Sequence, residues 1–327
     1  MKKLINNIDS LLEDSLKGFA SVHRDIISFN QQPYFVSRKV LAKKGKVALI
    51  SGGGSGHEPL HTGLVGVGML DAACPGQVFT SPTPDQMIAA ASVVANDAGV
   101  LFIVKNYAGD VMNFEIAAEM LDGKHATVLV CDDVSLPSDH STGRRGVAGT
   151  LIIEKIVGAA AEAGVNLTEC QALGERVNKL TASIGVALTS CTVPALGKPT
   201  FDIAENEVEM GVGIHGERGR ETIALKPASE IINEMALVIE KELAVNQGQK
   251  ILLHVNGFGG TPLMELYAVY DLAEQFWVQR GVEVVRKLVG NYTTSLDMAG
   301  CSITVTIMDE ELTQLWDAPV HTANLRW

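Results

Sequence analysis

Three places in the sequence put side chains fit for acid–base or nucleophilic work at the expected end of a strand. His57 follows Ser51-Gly52-Gly53-Gly54-Ser55-Gly56 and is the only side chain of that loop titrating near neutral pH. Lys105-Asn106-Tyr107-Ala108-Gly109-Asp110 crowds a lysine, an asparagine and an aspartate after the apolar run Val100–Val104. His215 closes the alternating stretch Val208–Ile214, just before Gly216. Histidine, lysine and aspartate gathered at one sheet edge do general acid–base and covalent chemistry. Each also has an ordinary structural use: a surface histidine, a helix cap at Asp110, a strand-end histidine.

The glycine loop matches neither common phosphate-binding signature. A P-loop needs Gly-Lys-Ser/Thr, whereas His57-Glu58 follows Gly56. The dinucleotide fingerprint counted from Gly52 and Gly54 places its third glycine at His57.

The elements that must position these residues alternate. Lys46–Ile50 is an unbroken apolar run once past its lysine, as in a strand buried on both faces of a parallel sheet. Ile8, Leu11, Leu12, Leu16 and Phe19 predict an amphipathic opening helix. Thr83-Pro84-Asp85-Gln86 predicts a helix start with Thr83 as N-cap and Gln86 closing a capping box. A further strand, Ala126–Cys131, ends in Asp132-Asp133. These are a metal pair or loop carboxylates, and the lack of further ligands at metal spacing favours solvation. Arg144 and Arg145 precede a helix from about Thr150 to Ala163, where they would hold an anion or pair with surface acids.

A helix over Leu167–Leu180 completes a doubly wound pattern. The texture then changes, giving two expected domains: 1–182, an α/β/α doubly wound domain with the glycine loop, His57 and Asp110, and 183–327, a smaller two-layer α/β domain with a mixed sheet and His215. In the latter, Ile184–Leu188, Ile251–Val255, Val282–Leu288 and Ser302–Ile307 read as strands and Ala228–Leu243 as a helix. Thr261-Pro262 reads as another capped helix start.

The chain has 327 residues, enough for two cores. Its five cysteines are scattered, without Cys-x-x-Cys spacing, so no zinc or disulfide framework is expected. No apolar run reaches ~18 residues and no signal peptide is evident, which predicts a cytoplasmic protein. A net charge of −12 disfavours nucleic acid and anionic membranes as partners.

Ser51–Pro59, Phe79–Pro84, Lys105-Asn106-Tyr107, Gly143–Ala148, Gly211–Glu217 and Leu315–Val320 together resemble the substrate-binding subunit of the dihydroxyacetone kinases, over essentially the whole chain. The resemblance implies that a ring nitrogen of His215 adds to the ketone carbon of dihydroxyacetone, forming a hemiaminal. Neutral imidazole is nucleophilic, and at its ordinary pKa of ~6.5 it is mostly neutral near pH 7. It implies further that Asp110 takes the proton of the attacking hydroxyl, that His57 assists as acid, base or charge stabiliser, and that Gly54, Ser55, Gly56, His57, Lys105 and Asp110 bind the substrate. No metal or cofactor is expected on this chain. A separate kinase subunit would carry Mg-ADP or Mg-ATP, fed from ATP or phosphoenolpyruvate, and this subunit would be a homodimer. Segment 135–141 is shorter than the family pattern, which implies altered docking if it meets the nucleotide subunit. Two alternatives share the motifs: a non-catalytic dihydroxyacetone sensor that engages a transcription factor as co-activator, and a kinase subunit for another small ketose such as erythrulose. Retention of both Asp110 and His57 favours the enzyme.

Overall fold

The computed structural model describes residues 2–137 and 140–327. Within segment 135–141, Ser138 and Asp139 lie outside the described residues. The chain runs through α1 (Leu11–Val22), β1 (Ile27–Gln31), β2 (Tyr34–Arg38), β3 (Ala48–Ser55), β4 (Gly66–Val67), β5 (Ala72–Val78), α2 (Pro84–Val94), β6 (Val100–Lys105), α3 (Ala108–Glu119), β7 (His125–Val130), α4 (Gly149–Glu162) and α5 (Leu167–Lys179). There follow β8 (Thr181–Ala187), β9 (Glu207–Met210), β10 (Glu221–Ala224), α6 (Ala228–Leu243), β11 (Lys250–Gly257), α7 (Leu263–Gln279), β12 (Glu283–Gly290), β13 (Gly300–Met308), α8 (Glu310–Asp317) and β14 (His321–Thr322).

These elements form two compact units. One comprises Met1–Val130, Thr150–Arg176 and Gln314–Trp327, the other Cys131–Gly149 and Val177–Thr313. The sequence suggested one crossing near residue 182, but the chain passes between units four times, at 130/131, 149/150, 176/177 and 313/314. Backbone pairing explains the two strays. Val134 N–H donates to Ser183 O at 2.9 Å, which ties residues 131–149 to β8. The carboxyl-terminal β14 pairs antiparallel with β4 through His321↔Val67 and Thr322↔Gly66.

In the first unit the six-stranded sheet has the order β1-β2-β5-β3-β6-β7. β5, β3, β6 and β7 are mutually parallel, and β1 and β2 add an antiparallel margin. Every residue of β3 is buried, as its apolar run predicts. β3 is also where the order turns, with β5 on one side and β6 on the other, so a crevice opens at its carboxyl end. α2 and α3 cover one face through Ile50, Cys74, Met87, Ala91 and Phe102, with Phe114 edge-on to Phe102 at 5.4 Å.

The Gln86 carboxamide accepts from Thr83 N–H at 2.9 Å, completing the predicted box, and donates to Tyr34 O and Pro75 O. α2 is thereby tied to β2 and β5 as well as started. On the opposite face, α5 approaches β7 so closely that a Cβ at Gly174 would lie 2.7 Å from Val128, and α4 delivers Glu154 toward β3.

The second unit holds a mixed sheet, β10-β9-β8-β13-β11-β12, antiparallel except for β11 with β12. One face packs on α6 and α7 through Ile184, Val186, Met235, Leu253, Trp277 and Val305. The other is polar yet buried. Thr181 and Thr306 hydroxyls meet at 2.9 Å, Ser183 and Thr304 at 2.7 Å, and His254 and Asn256 lie beside them on β11. The two-unit α/β architecture is the one the alternation predicted. Thr261 is not the cap expected: α7 begins after Pro262, while the Thr261 hydroxyl donates to Gly300 O and accepts from Gly300 N–H, standing in for a strand bond.

His254 makes the fold acid-sensitive. It is fully buried, its Nδ1 lies 3.0 Å from Leu288 O, and burial pushes its pKa down to about 4. An unfolded histidine, at ~6.5, binds a proton between pH 4 and 6.5 that the folded one refuses, so stability falls as pH drops through that window. The expected contribution is about 3 kcal/mol between neutrality and pH 4. Urea titrations at several pH values should show a steeper acid loss for wild type than for His254→Gln; parallel curves would refute the assignment.

Candidate active site

The glycine run expected as a loop lies inside β3, and its glycines are required by close approach more than by backbone angle. A Cβ at Gly52 would lie 2.5 Å from Cys74 O, at Gly53 2.3 Å from Lys105 Nζ, and at Gly54 2.6 Å from Thr80 N. Of the glycines at 52–56 only Gly56 takes a positive φ, +105°, and it turns the chain toward His57. Its N–H donates to both Glu58 carboxylate oxygens at 3.0 and 3.1 Å, and Ser55 Oγ donates to Gly76 O at 2.7 Å. His57 is buried and stacks on Phe79, centroids 5.2 Å apart. Phe79 itself holds φ at +55°, rare for a residue with a bulky side chain.

Lys105, the last residue of β6, is fully buried behind Gly53. Its ammonium lies 2.9 Å from His61 Nε2, 3.3 Å from Gly52 O and 3.7 Å from Asp110 Oδ2. Asp110 stands in the first turn of α3, three residues past the N-cap Tyr107, and does not cap the helix. Neither of its oxygens accepts a hydrogen bond among the described residues, although the residue is 1% exposed. A carboxylate with unspent lone pairs beside an ammonium suits a hydroxyl-bearing substrate: the base accepts the proton while the cation steadies the oxygen.

In the second unit β9 ends at Met210, where Gly211 takes φ +76°, so His215 sits in a turn beyond the strand and not at its tip. Its N–H donates to Glu217 Oε2 at 2.7 Å. Glu217 Oε1 meets Arg145 Nη1 at 3.0 Å, and Arg145 also donates to Asp133 Oδ2, Ser135 Oγ and Gly211 O. Gly213 makes room for this clamp, since a Cβ there would lie 1.6 Å from Glu217 Oε1.

The arginine pair is thus spent internally, Arg145 on the His215 turn and Arg144 in a bidentate pair with Glu242 at 2.7 and 2.8 Å. Asp132 and Asp133 are likewise structural, not solvated. Asp132 accepts from Val147 N–H, Gly149 N–H and Ser183 Oγ, and burial raises its pKa to about 6. Among the described residues no cluster of three His, Cys, Asp or Glu side chains could hold a metal.

Sequence reasoning missed His61, Glu154 and Glu217. His61 lies four residues after His57, but its partners are 44 and 93 residues away, at Lys105 and Glu154. Only the fold joins them. A cavity of about 400 Å³ lined by Leu12, Phe19, His23, Gly54, His61 and Asn324 adjoins the glycine strand, yet it is not lined by His57, Lys105 or Asp110. The charged cluster, more than this cavity, marks the chemistry.

An α/β unit with a buried lysine–aspartate pair at a strand-order reversal belongs to the broad class whose ligands bind at the carboxyl ends of parallel strands. Residues 17–324 match the Dak1 domain, and the chain belongs to that family, the one its motifs indicated. It is 45% identical over 355 aligned residues to the PEP-dependent dihydroxyacetone kinase, dihydroxyacetone-binding subunit DhaK of Escherichia coli (strain K12), covering 100% of this chain and 99% of the relative. Among solved structures it resembles the dihydroxyacetone kinase operon co-activator DhaQ, with a TM-score of 0.90 and 31% identity over 97% of this chain and 98% of that one. The dihydroxyacetone kinase of C. freundii gives a TM-score of 0.89 at 32% identity, covering 99% of this chain and 60% of that one.

Proposed function

We propose that this chain is the dihydroxyacetone-binding subunit of a dihydroxyacetone kinase, a phosphotransferase whose nucleotide sits on a separate subunit. The observation that carries the reading is Asp110, a buried carboxylate that accepts no hydrogen bond among the described residues, 3.7 Å from the Lys105 ammonium. His215 holds the ketose: a ring nitrogen forms the C–N bond, the carbonyl oxygen takes up a proton, and the imidazole N–H proton leaves. Asp110 accepts the proton of the attacking hydroxyl as its oxygen bonds to the terminal phosphorus. The phosphorus–oxygen bond to the nucleoside diphosphate then breaks, with positioning and electrostatics doing most of the work.

His57 assists as acid, base or stabiliser of the charge that develops in transfer, and Gly54, Ser55, Gly56 and Lys105 hold the substrate's oxygens. Ser55 Oγ and the Gly56 amide already donate within the chain, so Lys105 is the principal donor. Mg-ADP or Mg-ATP belongs to the partner subunit, with phosphoenolpyruvate as the ultimate donor. The protein works as a cytoplasmic homodimer in glycerol metabolism. No helix among the described residues is long and apolar enough to cross a membrane.

The similarity to a co-activator favours a second reading, a dihydroxyacetone sensor for a transcription factor. Mixing the chain with a nucleotide-loaded kinase subunit, dihydroxyacetone and either ATP or a phosphoenolpyruvate-fed phosphoryl donor separates the two. Dihydroxyacetone phosphate is the expected product, whereas ketose binding without transfer would establish the sensor. Erythrulose, tested alongside, reports the breadth of the pocket.

Gly213→Ala tests the His215 turn. Its Cβ would push Glu217 off the His215 amide, and the ketose concentration for half-saturation should rise about tenfold, the worth of one hydrogen bond to a charged group. Unchanged binding would mean that the clamp does not place His215.

A further inference from the structure

The first unit contains a buried dyad that the proposed reaction does not use. His61 Nδ1 lies 2.6 Å from Glu154 Oε1 and 3.0 Å from Ser51 Oγ, and His61 Nε2 lies 2.9 Å from Lys105 Nζ. His61 is 5% exposed, and Glu154, Lys105 and Ser51 are fully buried. The donor inventory fixes the proton. Lysine's ammonium only donates, so Nε2 accepts and the ring hydrogen sits on Nδ1, where it is shared between Glu154 and Ser51. Ser51 spends its own hydrogen on Ile103 O at 2.6 Å, so its oxygen is free to accept from Nδ1.

An ammonium has three donors. One goes to His61 and one to Gly52 O, which leaves the third for the side where Asp110 stands. A lysine on four flexible carbons would otherwise sample many rotamers. We infer that His61, backed by Glu154, is a positioning residue: it spends one Lys105 donor so that the remaining one points at Asp110 and at the substrate oxygen beside it. The inference rests on the proposed kinase reading for its consequence, although the geometry stands by itself.

The groups facing His61 are Lys105 from β6, Glu154 from α4, Ser51 from β3 and His57 from the turn after it, with Asp110 of α3 beyond Lys105. Burial, then the Lys105 and His57 charges, hold the imidazole pKa well below its usual value, so it stays a neutral acceptor. Burial raises the Glu154 carboxyl to about 8, against the pull of Lys105. As pH rises through 8 Glu154 becomes a carboxylate, pulls harder on Nδ1–H and makes Nε2 a better acceptor for Lys105.

The test uses the full chain with a nucleotide-loaded partner subunit and dihydroxyacetone. In His61→Leu, transfer should fall roughly 10- to 100-fold through kcat while the His215 adduct still forms, with partial recovery in His61→Gln. In Glu154→Gln, the rise in rate through pH 8 should vanish. Should His61→Leu fail to fold, Glu154→Gln, which keeps the shape, carries the decision. A folded His61→Leu with wild-type kcat, or a Glu154→Gln pH profile identical to wild type, would overturn the inference. If wild type transfers nothing to any partner, the kinase reading fails separately. Histidine 15N NMR of the wild-type chain still judges the geometry: the Nδ1–H tautomer supports it, and an Nε2–H tautomer or an imidazolium overturns it.

Discussion

Asp110→Asn is expected to lower phosphoryl transfer by about 10²- to 10⁴-fold, the usual worth of a positioned general base, while the ketose still adds to His215. Asparagine keeps the shape of the side chain but has no basic oxygen, so the attacking hydroxyl must lose its proton to water. The expectation is sharp because both Asp110 oxygens lack hydrogen bonds among the described residues, which leaves the carboxylate no structural duty beyond its pairing with Lys105. Removing it leaves Lys105 without its counter-charge, so a modest loss of thermal stability should accompany the loss of rate. Steady-state transfer with a saturating partner, together with mass measurement of the adduct, reads both effects. Retention of transfer within about tenfold would remove Asp110 from the role of base.

His215→Ala is the second large effect, and it strikes binding first. A ketose of six heavy atoms makes few non-covalent contacts, so losing the C–N bond should raise its apparent KM by about 10²-fold or more. The ratio between ketose and glycerol should collapse as well. Glycerol carries similar hydroxyls but no carbonyl, so on the proposed mechanism the adduct would separate the two in wild type. Competition by glycerol, expected to be negligible in wild type, should become measurable in the variant. If the variant keeps the wild-type KM and still ignores glycerol, selectivity resides elsewhere.

The parts legible in the sequence were those in which periodicity and packing agree. β3 and β6 read as buried runs because both faces are covered, and α6 spans Ala228–Leu243 as its spacing predicts. β5 was not legible: Ala72–Val78 carries a proline, a glycine and two alanines, and is a strand only because β3 and β2 bracket it. The α8 helix and the β14 pairing were invisible for a similar reason, since β14 closes on β4 more than 250 residues earlier.

At the candidate site, residue types were legible but not the contacts that explain them. Gly53 reads as loop flexibility and is in fact clearance for Lys105. The arginines read as an anion site or as surface ion pairs; they do pair with acids, and Arg145 braces Glu217 and through it the His215 amide. His61 and Glu154 carried no local signal, because their meaning lies in contacts made across the folded unit.

The central claim is that the chain holds a small ketose covalently through His215. The most direct test is intact mass under gentle, non-denaturing conditions after incubation with dihydroxyacetone, on wild type and on His215→Ala. An increment of one whole ketose per chain, with no water lost, on wild type alone is the expected result. The absence of any increment, or an equal increment on the variant, would contradict the claim.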